Sequence, residues 1–154
     1  MNNVSNDDFV KVKRIINEVE SKNITLNVNI VDRKGYYPLL KAIGNKNIFL
    51  IKAIIEYAER KKITLKINQK NDFGTNALML ATDRNNTNIV RTLIEYANKH
   101  NIILNINDKN IEGDYPFSFA SVNCNVNIMD ILIDYANKNH IILNIQDKIS
   151  HKLL

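Results

Sequence analysis

The chain of 154 residues contains one cysteine, no tryptophan, two prolines and four glycines. Each shortage removes a class of protein. A lone Cys124 has no internal partner, so this is no disulfide-stapled secreted scaffold, and a reducing compartment fits. No window approaches 18 consecutive apolar residues, so no segment reads as a membrane-crossing helix. The opening stretch, "MNNVSNDDFV", lacks the basic-then-apolar order of a secretory signal. Asn-X-Ser/Thr matches at Asn3, Asn23 and Asn85 therefore read as accidents of an asparagine-rich chain. With 45% hydrophobic residues, the length suits one domain over 1–154 with a sizeable core. These features place the protein inside the cell, cytoplasmic or nuclear, with no membrane association.

The net charge of +5 is unevenly distributed. Residues 35–73 carry 8 basic and 3 acidic groups, whereas residues 113–151 carry 2 and 4. A nucleic-acid binder would show a basic stripe along its length. Arg33, Lys34, Lys41 and Lys46 form one basic set and Arg60, Lys61 and Lys62 another, at the end of a helix. The two sets do not form one track, and nucleic acid is not the expected partner.

What the chain does contain is itself, several times. "LIEYANKHNIILNIN" (93–107) returns as "LIDYANKNHIILNIQ" (132–146) and as "IIEYAERKKITLKIN" (54–68), a period of 39 residues without gaps. Leu26, Leu65, Leu104 and Leu143 fall in register, as do Tyr57, Tyr96 and Tyr135. A second block repeats beside it: "GYYPLLKA" (35–42), "GTNALMLA" (74–81) and "GDYPFSFA" (113–120). Phe9, Val12, Ile15, Ile16 and Val19 match Ile48, Ile51, Ile54, Ile55 and Ala58, so a partial copy opens the chain.

Each unit reads as two helices with a turn. Apolar spacing predicts a short helix over 77–83, an Asn-rich break over 84–88, and a second helix over 88–100. Ile89, Val90, Leu93, Ile94 and Ala97 then form one apolar stripe. "IILNIN" alternates apolar and polar residues and reads as extended chain, with a glycine further on where a turn needs positive φ. A unit with a single apolar face cannot bury it alone, so stacking the copies makes the core.

No pattern carries catalysis. Four glycines, three of them at repeat turns, leave no phosphate-cradling loop. His100, His140 and His151 are the only imidazoles, and with Cys124 in a loop they do not make the converging set that a metal requires. Cys124 and His140 lack an orienting third group for a nucleophile. Glu56, Glu95 and Asp134 repeat on an outward helix face and read as solvated charge. The tyrosine column reads as packing between repeats with hydroxyls at the rim rather than as a base-stacking platform. The expectation is a non-enzyme without metal or cofactor.

"DRKGYYPLLKAIGNKNIFLIKAII" (32–55) resembles the ankyrin repeat through Asp32, Gly35, Pro38, Leu39, Ala42, Ile51, Ile54 and Ile55. The second copy keeps Gly74, Leu78, Ala81, Ile89, Val90, Leu93 and Ile94, and the third keeps Gly113, Pro116, Ala120, Ile128, Leu132 and Ile133. The period of 39 exceeds the usual ~33. Tyr37, Asn76 and Tyr115 stand where that family has a capping threonine, and only Asn caps a helix equally well. The resemblance implies an all-α ankyrin-type solenoid of helix-turn-helix units joined by β-hairpin-like loops. Its parts are a half repeat over 6–34 and full repeats over 35–73, 74–112 and 113–151.

It further implies a monomeric adaptor or scaffold, binding a protein partner through a concave face of hairpin tips and first helices. The positions carried over are Arg33, Lys34, Tyr36 and Asn45 in the first full repeat. In the second they are Asp72, Phe73, Thr75, Asp83 and Arg84, and in the third Ile111, Glu112, Asp114, Val122 and Asn123. The physical appeal lies in Tyr36, Phe73 and Ile111, apolar groups at turns where no core needs them. A segment of a longer scaffold is the alternative, since "DKISHKLL" ends without the next turn glycine; at the start, Asp7, Asp8, Lys11, Lys13 and Arg14 suit a polar cap.

Overall fold

A computed structural model describes residues 6–145, with side chains from residue 10 onward. The C-terminal "DKISHKLL" and the side chains of Asp7 and Asp8 fall outside these limits. Among the described residues there are seven α-helices and no strands: α1 Asn6–Ser21, α2 Pro38–Gly44, α3 Ile48–Arg60, α4 Ala77–Asp83, α5 Thr87–Lys99, α6 Pro116–Val122 and α7 Val126–Lys138. Short inner helices (α2, α4, α6) alternate with longer outer ones (α3, α5, α7), and α1 holds the place of an outer helix. The fold is an all-α ankyrin-type helical repeat.

Asparagine sets the starts of the outer helices. Asn47, Asn86 and Asn125 each accept, through the side-chain oxygen, the amide three residues on, satisfying one of the orphan N–H groups of a helix N-terminus. Asn76 does the same for α4. Tyr37 and Tyr115 do not cap with their side chains. Ser118 compensates in α6, where its hydroxyl accepts from the Tyr115 amide at 2.9 Å and donates to the Tyr115 carbonyl at 2.8 Å.

Helix ends follow one rule. Lys46, Asn85 and Cys124 after the inner helices, and Asn23, Lys62, Asn101 and His140 after the outer ones, all have φ between 51° and 56°. The left-handed residue folds the chain back so that the next amide reaches five residues upstream, as in Asn47 N–H to Ala42 O and Ile102 N–H to Ala97 O. This arrangement closes the last turn and satisfies terminal carbonyls.

The contacts group the chain into two compact units, Met1–Lys66 and Ile67–Leu154. In the first, α3 packs against α1 and α2. Its core includes Tyr37, Leu39, Leu40, Ile43, Ile51, Ile54, Tyr57 and Ala58. In the second, α4 packs against α5 and α6, and α7 packs against α5 and α6. The stripe Ile89, Val90, Leu93 and Ala97 is fully buried there, joined by Tyr96, while Ile94 stays half-buried.

The hydroxyls of Tyr57 and Tyr135 do not sit at the rim. Tyr57 Oη accepts from the Leu26 amide at 2.7 Å and Tyr135 Oη accepts from the Leu104 amide at 2.9 Å. Each ring is buried, so its hydroxyl turns inward to the arm of the preceding repeat. Asparagine makes a second tie. Asn29 bonds Thr64 O and Lys66 N, Asn68 bonds Ile103 O and Asn105 N, and Asn107 bonds Ile142 O and Asn144 N. The segments read as extended chain are thus held by side-chain amides rather than by a strand ladder.

Candidate functional site

Between the arms and the inner helices the chain makes tight turns, and a side chain pins each one. Asp32 Oδ1 accepts from the amides of Lys34 and Tyr36, both at 2.9 Å. Asn71 Oδ1 accepts from Phe73 at 3.0 Å and Thr75 at 2.9 Å, and Asn110 Oδ1 accepts from Glu112 at 3.0 Å and Asp114 at 2.8 Å. Backbone pairs close the same turns, Asn71 N–H to Thr75 O at 3.0 Å among them. Gly35, Gly74 and Gly113 supply the positive φ these turns require. The turn shape therefore does not depend on what occupies its two tip positions.

Those tips are Arg33–Lys34, Asp72–Phe73 and Ile111–Glu112, and all six side chains are exposed. Phe73 is 43% exposed and Ile111 70%. Within the second unit the two tips lie side by side, with the Ile111 amide donating to Phe73 O at 3.1 Å. A Cβ on Gly74 would stand 3.0 Å from the Asn110 Cα, so the close approach needs glycine there. Tyr36, Thr75 and Asp114, on the far side of each turn, are half-buried.

Each remaining sequence-derived position lies at the C-terminal end of its own inner helix. Asn45 is the C-cap of α2; Asp83 ends α4 and Arg84 caps it; Val122 ends α6 and Asn123 caps it. All five are exposed, Val122 at 68%. The Asn123 side-chain Nδ2 donates to Thr82 O at 3.2 Å and Asp83 O at 3.4 Å, so this residue also caps the end of α4. A seven-residue helix rises ~10 Å, which sets the spacing between tip and helix-end positions. Within each unit the residues thus lie at the two ends of an inner helix rather than in one patch.

Charge at the first turn is tuned. Lys41 donates to Asp32 Oδ2 at 2.8 Å. That hydrogen bond, with those from the Tyr36 and Lys34 amides, lowers the Asp32 pKa from 3.8 to about 2. Asn71 and Asn110 do the same backbone work without charge. Their role was missed because the residue type changes between copies; the period of 39 is the signal that finds them. In the second unit Lys70 pairs with Asp108 at 3.2 Å and donates to Lys109 O at 3.2 Å.

His100 lies with its ring 4.2 Å from that of Tyr96, His140 takes the left-handed position after α7, and His151 is outside the described residues. Among the described residues no group of three or more His, Cys, Asp or Glu could hold a metal ion. No described helix is long and apolar enough to cross a membrane.

Each full repeat thus holds two helices with a pinned turn before the inner one, and helices of neighbouring repeats pack together within each unit. A family model described as ankyrin repeats in three copies matches residues 1–103 and again residues 62–147. The chain belongs to the ankyrin-repeat family. No curated protein matches it. Ankyrin repeats in general are protein–protein interaction modules and are typically non-catalytic.

Proposed function

We propose that this ankyrin-repeat protein is a non-catalytic adaptor, acting as a monomer inside the cell, that binds a protein partner through its turn tips and inner helices. The observation that carries this reading is the exposure of Phe73 and Ile111 on turns whose backbones are already locked by Asn71 and Asn110. An apolar group held in water by a rigid loop loses little conformational entropy on binding and gains from desolvation, the combination that makes interface anchors. The charged tip neighbours Asp72 and Glu112 then supply selectivity beside those anchors, and Arg33 and Lys34 carry charge at the tip of the first unit.

The test is capture from lysate by the parent chain, run beside a variant with Tyr36, Phe73 and Ile111 changed to alanine. Phe73 and Ile111 are exposed and Tyr36 half-buried, so the variant keeps its fold, which circular dichroism and the melting temperature verify. A protein held by the parent and lost by the variant supports the reading. Equal capture by both overturns the tip site, and RNA captured with a steep salt dependence favours the basic sets instead.

A further inference from the structure

The first unit contains an apolar groove of ≈ 600 Å³ that the tips do not touch. Val12, Ile15 and Ile16 of α1 form one wall, Pro38 and Lys41 of α2 another, and the arm from Leu26 to Ile30 with Ile54 of α3 the rest. The repeat shows what belongs there. Advancing these positions by two periods gives Val90, Leu93 and Ile94 on α5, Pro116 and Phe119 on α6, and Leu132 on α7. In the second unit Val90, Leu93 and Leu132 are fully buried, because α4 packs against both α5 and α6. In the first unit Ile15, the counterpart of Leu93, is 58% exposed and Ile30 is 60% exposed. Among the described residues no helix stands against α1 and α2 as α4 does against α5 and α6.

One lining residue departs from the apolar pattern. Lys41 occupies the position of Phe119, and its stacked counterpart on α4 is Leu80. An ammonium has three donors; Asp32 takes one at 2.8 Å, and the side chain remains 55% exposed. The first 66 residues carry 13 basic and 7 acidic groups, and this net positive balance favours an anionic ligand.

We infer that this groove docks a short helix from a protein partner, with the chemistry of an inner helix facing in and a carboxylate where α4 has Leu80. The inference uses no tip residue and stands apart from the tip site. Hydrophobic burial supplies the affinity and Lys41 supplies the register.

A labelled, lactam-bridged peptide carrying residues 74–86 with L80E is titrated into the full chain and followed by fluorescence anisotropy. Saturable binding is expected, weakened at least tenfold by Ile15→Glu or Ile30→Asp and untouched by Phe73→Ala. Because Ile15 and Ile30 are exposed, both variants keep the parent melting temperature. The peptide retaining Leu80 binds several-fold more weakly, and Lys41→Met removes that difference. No saturable binding, or binding that Ile15→Glu leaves intact, overturns the proposal. So does a dimer of the chain that Ile15→Glu dissociates, which makes a second copy the occupant. Binding that appears only once residues 1–5 are removed overturns it in favour of the chain's own start, and uptake of an apolar dye without the peptide makes the groove a small-molecule pocket.

Discussion

Lys46, Asn85 and Cys124 occupy one structural position in three repeats, with φ of 53°, 54° and 51°. For most L-residues this region costs roughly 1–2 kcal/mol, through the clash of Cβ with the carbonyl that follows, and asparagine tolerates it best. Lys46→Gly and Cys124→Gly are therefore expected to raise stability by about 1 kcal/mol each, less the extra freedom glycine gives the unfolded chain. Asn85→Gly is expected to change little. Urea denaturation midpoints at constant slope decide; a loss of stability in both glycine variants would show that the turn is held by something other than backbone conformation.

Asp32 supplies the pH dependence at the same scale. Its folded pKa is depressed to about 2 from 3.8, so its contribution is present above the unfolded value and disappears as pH falls from 3.8 towards 2. Asp32→Asn keeps an oxygen for the Lys34 and Tyr36 amides, as Asn71 and Asn110 do, and gives up the pair with Lys41. The variant is expected to melt slightly below the parent at pH 6 and level with it at pH 2. A gap that persists unchanged at pH 2 would mean that the charge is not what Asp32 contributes.

At the scale of the element, the ties between repeats are side-chain hydrogen bonds to backbone. Tyr135→Phe strands the Leu104 amide, whose residue is 2% exposed, at a cost of about 1–3 kcal/mol for an unsatisfied buried donor. Tyr57→Phe frees the Leu26 amide in a half-buried arm beside the open groove, where water can replace the hydroxyl, and is expected to cost less than ~1 kcal/mol. Comparing the two by thermal unfolding tests whether burial sets the cost; equal losses would refute it.

Much at this scale was legible in the sequence. The helix read over 77–83 is α4, and the one read over 88–100 lies one residue from α5, because apolar periodicity and Asn-rich breaks report directly on the buried stripe and its ends. Phe73 and Ile111 stood out because no core position needed them. Other features were hidden for physical reasons. In a chain with asparagine in every loop, only the fold selects Asn29, Asn68 and Asn107 to bridge neighbouring arms, through partners 35 and 37 residues away. The sequence places the tyrosine hydroxyls at the rim, because a residue with an apolar body and a polar tip usually lies that way. For Tyr57 and Tyr135 the hydroxyl takes an arm amide instead. The groove was invisible too, since it depends on which face of α1 and α2 goes uncovered.

For the molecule as a whole, apolar burial is unequally shared between the two units. In the second, α4 through α7 bury Ile89, Val90, Leu93, Ile128 and Leu132 completely. In the first, α1 packs on α3 while leaving Val10 59% and Ile15 58% exposed. What it lacks in burial it partly recovers through charge. Glu20 meets Arg60 at 3.2 Å and Lys61 at 3.4 Å, and Lys13 meets Glu56 at 3.7 Å. Partial desolvation, the largest single influence on Glu20, raises its pKa, yet hydrogen bonds from Arg60 and Lys61 with their charges outweigh it and leave the pKa lowered. Exposed pairs of this kind are weakened by salt, whereas apolar burial is not. Hydrogen exchange in 0.5 M sodium chloride should therefore quicken several-fold across α1, with the amides of α5 and α7 unchanged against low salt. Uniform change along the chain would mean that α1 does not open by itself. The same change in Glu20→Gln at both salt concentrations would mean that the ion pairs are not what holds α1. An α1 that loosens alone would also widen the groove against α2, so the salt dependence of peptide docking and of α1 exchange should move together.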